Sequence, residues 1–270
     1  MKKFISLALA AVAACTALSL AACGNNAKYI ASDIVAEENE EYGFAIGKNA
    51  SKKDEILTAM NKVIDGINID DIITYYTAIE AGETPSVSLT FADLSDNTGD
   101  TLQVYTNAEF PPFEFRDEAN KIVGADMYVM ELIAEELNMK VNFNDIAFDA
   151  VVGKVATEDN AIGAAGITIT EERKAEVAFS NPYFSTVQSI ICTEEEAFTS
   201  LEDLKGKKIG VQKGTTGWIL VDEAITNGVL KDTGAEVITY DSGAVAYTAL
   251  KAGKCDVVVI DKLPANKLVK

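Results

Sequence analysis

The stretch Gly166-Ile167-Thr168-Ile169-Thr170-Glu171-Glu172-Arg173 runs from the end of a strand, through a turn, into the start of a helix. The apolar run from Ala161 to Ile169 reads as a buried strand. Thr170 is a preferred helix N-cap, followed by two acids suited to a first turn. Arg173 then falls one turn into that helix. Free backbone N–H groups, the positive helix end and a guanidinium fork would converge near Thr168, an arrangement that holds an anion or a carboxylate. The same letters also fit an ordinary capped surface helix with a solvated Arg, so the stretch alone leaves both readings open.

Working outward, short apolar runs alternate with amphipathic stretches from Thr101 onward, the pattern of an α/β fold with mainly parallel sheets. Strands are predicted over Leu102 to Thr106, Val141 to Asp145, Ala161 to Ile169, Val187 to Thr193, Lys208 to Gln212, Glu236 to Tyr240 and Asp256 to Ile260. Helices are predicted over Met127 to Leu137, Asp149 to Ala156, Glu171 to Val177, Leu201 to Leu204, Gly217 to Thr226, Gly243 to Ala252 and Leu263 to Lys270. Met127, Met130, Leu132, Ile133 and Leu137 form an apolar stripe at helical spacing and read as core. Ahead of this stands a strand over Tyr42 to Ile46, a turn at Gly47-Lys48-Asn49, and helices over Lys53 to Ile64 and Ile69 to Ala78. Residues 81 to 100 read as a mobile connector, one too long to sit inside a compact domain without a reason.

Three further turns follow predicted strands, where an α/β sheet opens its ligand crevice. Asn107-Ala108-Glu109-Phe110-Pro111-Pro112-Phe113 offers Phe110 as an aromatic wall or as a buried loop residue. Ile146-Ala147-Phe148-Asp149 occupies the equivalent place after the next strand. Gln212-Lys213-Gly214-Thr215-Thr216-Gly217 carries hydroxyls and free N–H groups suited to part of an anion, but lacks the spacing of a phosphate-binding loop. Asp261 ends an apolar strand, where it could accept from an ammonium group or cap the next helix.

The N-terminus carries Lys2 and Lys3, then an apolar stretch from Phe4 to Leu20, and residues 1 to 22 read as an export signal rather than a retained span. Leu20-Ala21-Ala22-Cys23-Gly24 resembles the lipobox of bacterial lipoproteins, which would make Cys23 the lipidated first residue of the mature chain and 23 to 27 a short linker. Two acyl chains suffice for stable anchoring. Removing the two signal lysines leaves 21 basic residues against 42 acidic ones, a net charge of −21, which argues against a nucleic-acid partner. Cys192 and Cys255 are then the remaining thiols, read first as buried free cysteines, with a cross-strand disulfide as the alternative. With no His in the chain, the commonest general base and metal ligand is missing, and no spaced Cys or carboxylate cluster suggests a metal or cofactor.

Taken together, these pieces resemble the polar amino-acid-binding proteins of ABC importers, bacterial extracellular solute-binding proteins of family 3. The resemblance rests on Thr-Asn-Ala-Glu-Phe-Pro-Pro-Phe-Glu-Phe from 106, Gly-Ile-Thr-Ile-Thr-Glu-Glu-Arg-Lys from 166 and Phe-Ser-Asn-Pro-Tyr-Phe from 179. It continues through the stretch from Ser200 to Gly217 and Asp-Val-Val-Val-Ile-Asp from 256. It implies a two-lobed periplasmic-binding-protein fold of type II that closes on one ligand. Carried over residue by residue, it makes Arg173 the bidentate partner of a free amino acid's α-carboxylate, assisted by Thr168, Thr215 and Thr216. The Gly166 carbonyl, Thr168 hydroxyl and Asp261 would take the α-ammonium. Phe110 and Phe148 would sandwich the side chain, and Asn107, Gln212 and Glu109 would read its polar end. Where the family has a Gly-Phe-Asp helix start, this chain has Gly124-Ala125-Asp126, with Tyr128 where an acid is common.

A larger departure is that the chain stops at Lys270, whereas family members continue into a return strand, a Glu-Tyr-Gly crossing and closing helices. Matching text stands at the front: Tyr29 to Ala36, Glu40 to Ile46, and Lys53 to Ala78. The resemblance therefore predicts a circular permutation, with 81 to 100 joining the ancestral ends. Lobe 1 would span 39 to 187, and lobe 2 would be assembled from 28 to 38 and 188 to 270. Crossings near Glu38 to Tyr42 and Tyr183 to Val187 would form the hinge. The expected protein is a monomeric, lipid-anchored receptor without cofactor, handing an amino acid to a membrane permease. A small-carboxylate dehydratase using Glu109 or Asp261 as acid or base, and an adhesin or sensor domain, are the alternatives on the same fold.

Overall fold

The computed structural model describes residues 27–34 and 39–270; the predicted signal, Cys23 and Glu38 lie outside them. In chain order the elements are β1 (Tyr29–Asp33), β2 (Glu40–Tyr42), β3 (Ala45–Gly47), α1 (Lys53–Gly66), α2 (Ile69–Glu80), β4 (Thr101–Thr106), β5 (Phe115–Arg116), β6 (Ile122–Val123), α3 (Ala125–Glu136), β7 (Lys140–Asp145), α4 (Phe148–Thr157) and β8 (Ile162–Gly163). They continue as α5 (Glu171–Glu176), β9 (Val177–Phe179), β10 (Phe184–Thr186), β11 (Gln188–Thr193), a 3₁₀ turn (Leu201–Leu204), β12 (Lys208–Gln212), α6 (Thr216–Thr226), β13 (Glu236–Tyr240), α7 (Gly243–Lys251), β14 (Val257–Asp261) and α8 (Lys262–Leu268). No described helix is long and apolar enough to cross a membrane.

Two five-stranded sheets carry the two lobes. The first has the order β7-β4-β8-β3-β9 and the second β1-β11-β14-β12-β13. Each is parallel in one half, β7-β4-β8 and β14-β12-β13, and antiparallel in the other. The sheets are thus more mixed than the alternating pattern predicts. The antiparallel places of β1, β3 and β9 are set by pairing with distant chain, which local periodicity does not reveal.

The single strand expected over Tyr42 to Ile46 is two strands. β2 pairs with β10 in a separate two-stranded ribbon, and β3 inserts between β8 and β9. The chain therefore passes from one sheet to the other at both β2 and β10. The strand expected over Ala161 to Ile169 also shrinks, to Ile162–Gly163. Beyond it Gly166 adopts φ 54°, in the left-handed region, and turns the chain toward the cleft between the sheets. A Cβ at Gly166 would lie 2.8 Å from the Phe110 ring, so a side chain there would displace that ring as well as strain the backbone.

The stripe on α3 behaves as its spacing implies: Met127, Met130 and Ile133 are buried in the first lobe's core, while Leu132 and Leu137 pack at its edge. Burial of each such side chain contributes about 1.5–3 kcal/mol. α1 and α2 pack on α3, and α8 packs on β1, so residues 53–80 do not stand apart as a domain. Residues 81–100 contain no helix or strand, yet they are tied to the α3 region. Asn97 Nδ2 donates to the carbonyls of Ala134 and Met139, and Tyr128 Oη donates to the Thr90 carbonyl. Phe91 packs edge-on against Tyr75 and Tyr128. The connector is held by these contacts rather than hanging free, which its Gly- and Asp-rich ends do not disclose. Cys192 and Cys255 are buried free thiols.

Candidate functional site

Parallel pairing decides where the turns meet. β4 and β7 run in register from Thr101 opposite Lys140 to Thr106 opposite Asp145, so the turns after them emerge side by side. Asn107 Nδ2 accordingly donates to the Ile146 carbonyl at 3.0 Å. In the second sheet, Gln212 lies opposite Tyr240 and Asp261 opposite Gln188, which brings the ends of β12 and β14 to the same edge. The two edges face each other across a small cleft.

Ten of the residues singled out from sequence line this cleft: Asn107, Phe110, Phe148, Gly166, Thr168 and Arg173 from one side, and Gln212, Thr215, Thr216 and Asp261 from the other. Ala165 completes the wall. Glu109 is not among them. It lines neighbouring clefts with Glu80, Pro111 and Ala244, because the residue before Phe110 points away from the wall that Phe110 forms.

Arg173 is held rigidly. Thr170 caps α5 by accepting from the Arg173 N–H, as its position predicts. The helix is only six residues long, so the cation that reaches the cleft is the guanidinium itself rather than a helix dipole. Its Nη1 donates to the Thr168 carbonyl at 2.7 Å and Nη2 to the Gly214 carbonyl of the opposing lobe at 3.1 Å, and its face lies 5.5 Å from the Phe148 ring centre. Two of five N–H donors are thereby used and three remain for a ligand. Burial lowers the Arg173 pKa, opposed by the charges of Glu40 and Asp261.

Across the cleft, Asp261 is buried, and its Oδ1 accepts from Tyr42 Oη at 2.7 Å, which leaves Oδ2 for a cationic partner. Desolvation, with the charge of Glu40, pushes its carboxyl up to about 7, against the Tyr42 hydrogen bond. Behind the Gly166 turn, Asp126 accepts from the Gly166 N–H at 3.0 Å and from Tyr183 Oη at 2.7 Å. Its carboxyl also rises to about 7 through burial. Glu114 is fully buried, and both its oxygens lack a partner among the described residues. Desolvation first, then the charges of Asp126, Asp261 and Asp145, hold it well above the usual carboxylate range.

The threonines differ from expectation in one respect. Thr215 Oγ1 donates to the Gln212 carbonyl and accepts from Trp218 N–H as the cap of α6. Thr216 Oγ1 donates to Glu40 Oε2 at 2.6 Å. Neither hydroxyl proton is free for a carboxylate, so the donors that remain on this side are backbone N–H groups of the first turn of α6, which a helix leaves unpaired. At the other end, Gln212 Nε2 donates to Asn107 Oδ1 at 2.9 Å and to the Asp241 carbonyl, leaving Gln212 Oε1 as the open polar atom. Asp145 is occupied by Arg116 and the Ala108 N–H, and Asp149 by Lys213.

Sequence reasoning missed Tyr42, Asp126, Glu40 and Gln188 as members of the site. The first three lie in motifs that the resemblance had already marked, but as crossing or helix residues. Their approach to the cleft depends on pairing across more than 100 residues of chain for Tyr42 and Glu40.

In chemical terms the cleft opposes one buried guanidinium to one buried carboxylate across a small space flanked by two aromatic rings, and so complements a zwitterion. Residues 102–232 match the family model of bacterial extracellular solute-binding proteins, family 3. A relative in Escherichia coli (strain K12), named for an ABC transporter and for arginine, is 30% identical over 177 residues, 66% of this chain and 70% of that protein. The solved structure of an ancestral arginine-binding protein bound to arginine is 42% identical, covering 63% of this chain and 73% of that one with a TM-score of 0.57. That of an ancestral amino acid-binding protein, a precursor of cyclohexadienyl dehydratase, is 33% identical, covering 61% and 72% with a TM-score of 0.54. On the family match and on the identity and coverage of these relatives, the chain belongs to the bacterial extracellular solute-binding proteins of family 3.

Proposed function

We propose that this protein is an extracytoplasmic receptor that closes two lobes on one free, polar amino acid and presents it to an ABC permease. The observation that carries the reading is that buried Arg173 and buried Asp261 line opposite walls of one small cleft, a cation and an anion for an amino acid's two charged groups. Arg173 holds the α-carboxylate with the N–H groups of α6. Asp261, the Thr168 hydroxyl and the Gly166 carbonyl take the α-ammonium. Phe110 and Phe148 flank the side chain, with Asn107 and Gln212 at its polar end. Thermal-shift screening of the purified protein against the amino acids, cystine included, tests this, because a ligand that binds only the folded state raises its stability. No stabilisation by any amino acid, or turnover of small carboxylates by the protein, would overturn the receptor reading in favour of the others.

The lipid anchor at Cys23 and the monomeric state belong to the same proposal, as does a circular permutation. Its support is that β1, β2 and β3 each pair with strands more than 100 residues away, and that α8 packs on β1 where the ancestral chain would have continued. Lobe 1 then runs from 39 to 187 and lobe 2 from both chain ends, with β2 and β10 as hinge. A chain rearranged so that 27–80 follows Lys270 should fold and bind the same ligand; failure of that variant to fold would count against the permutation.

A further inference from the structure

Glu40 sits on β2, where the chain crosses between the sheets, and its carboxylate gathers polar groups from three other elements. Oε2 accepts from Thr168 Oγ1 at 2.8 Å and from Thr216 Oγ1 at 2.6 Å, and Oε1 accepts from Gln188 Nε2 at 3.0 Å. Thr168 belongs to the first lobe's cleft wall, while Thr216 opens α6 and Gln188 opens β11 in the second. The two hydroxyl oxygens are 3.4 Å apart, so this carboxylate ties the walls together at one point.

A threonine hydroxyl has one proton and two lone pairs. Once its proton is given to a carboxylate, it can only accept from anything else. We infer that Glu40 is a positioning residue for ligand recognition: by taking the protons of Thr168 and Thr216 it fixes both hydroxyls as acceptors, so that this end of the cleft favours an ammonium group, with three N–H donors, over a hydroxyl, with one, and rejects a carboxylate.

The inference rests on the amino-acid-binding reading above and deepens it, since it assigns the discrimination between an α-amino acid and its α-hydroxy counterpart to a residue that need not touch the ligand. The surroundings agree. The Gly166 carbonyl and Asp261 Oδ2 are the other groups offered there, and both are acceptors. The Gly166 N–H, the one nearby donor on that turn, is turned away to Asp126. With glutamine at position 40, the amide can donate to Thr168, whose own proton is then free to turn toward the ligand, and a donor would face the ammonium.

The test uses the full-length protein and the amino acid identified by screening, with the α-hydroxy acid of the same side chain as probe. Calorimetry gives the dissociation constant of each for wild type and Glu40→Gln. Wild type should prefer the amino acid strongly. In E40Q the amino acid should bind about tenfold or more weakly, consistent with the cost of a mispaired buried polar group. The ratio of the two constants should fall by a similar factor, because the hydroxy acid loses less. An unchanged ratio, whether or not both affinities drop, would overturn the inference and make Glu40 a structural tie, while leaving the receptor reading in place. Wild-type protein that binds no amino acid would remove both. Should E40Q fail to fold, Glu40→Ala carries the same comparison, since it too releases the threonine protons.

Discussion

Replacing Arg173 by Ala removes the only cation that lines the cleft among the described residues. Three of its N–H donors are uncommitted, enough for a bidentate bond to a carboxylate with one to spare. A hydrogen bond to a charged partner contributes about 1.5–3 kcal/mol, so two of them amount to about 3–6 kcal/mol, roughly a 10²- to 10⁴-fold rise in Kd. Truncation also frees the Thr168 and Gly214 carbonyls and leaves Asp261 without its counter-charge, which places the expected loss toward the upper end. Arg173→Lys keeps the charge but not the fork, and should fall between wild type and Ala. Isothermal titration calorimetry with the screened ligand measures the loss, and circular dichroism checks that each variant is folded. A folded Arg173→Ala protein that binds within about threefold of wild type would refute the assignment of this residue to the ligand carboxylate.

Four further outcomes follow from the structure. With the Asp261 carboxyl at about 7 in the free protein, docking an ammonium against it favours its charged form. Binding should release a proton, and affinity should fall by up to about tenfold per pH unit as pH drops below about 7; heats that do not vary among buffers of different ionisation enthalpy would contradict this. The sign for stability is the reverse of the usual carboxylate case. Asp126 and Asp261 hold their protons to higher pH when folded than when unfolded, so their contribution to ligand-free stability declines as pH rises from about 4 to 7, readable as a lower Tm at pH 7.5 than at pH 5.5. At Gly214, φ is 80° and an added Cβ would lie 2.7 Å from Asp149 Cβ of the opposing lobe, so Gly214→Ala should wedge the cleft open, weakening binding at least tenfold with little change in Tm; unchanged affinity would contradict the contact. Ile133→Ala, at a fully buried position of α3, should cost about 2–5 kcal/mol in denaturant unfolding, and a loss below about 1 kcal/mol would mean that the core relaxes around it.

What could be read in advance was local. The cap at Thr170, the period of the α3 stripe and the turns after β4, β7 and β12 are each written within a dozen residues. Helix caps and apolar periodicity act at that range, so these elements and the cleft turns they carry were legible. The family resemblance then ordered the turns around a common ligand, although the outward position of Glu109 depends on the course of the loop after β4, which no motif encodes.

Where distant segments meet was a different matter. That β3 inserts between β8 and β9, that the connector is fastened to α3, and that Tyr42 closes on Asp261 from 219 positions away are consequences of packing, not of neighbouring letters. The same holds for hydrogen-bond polarity. Thr168, Thr215 and Thr216 could be named from sequence as hydroxyls near a ligand, but each hydroxyl can donate or accept. Which one it does at Thr168 and Thr216 is settled by a carboxylate brought from β2. The amino-acid sequence by itself determined most helices, the crevice turns and, through the family resemblance, the candidate pair of Arg173 and Asp261, because those follow from local conformation and motif. Only the tertiary structure decided which groups face the cleft and in which hydrogen-bonding sense, because a buried polar atom takes its role from the partners that the fold delivers to it.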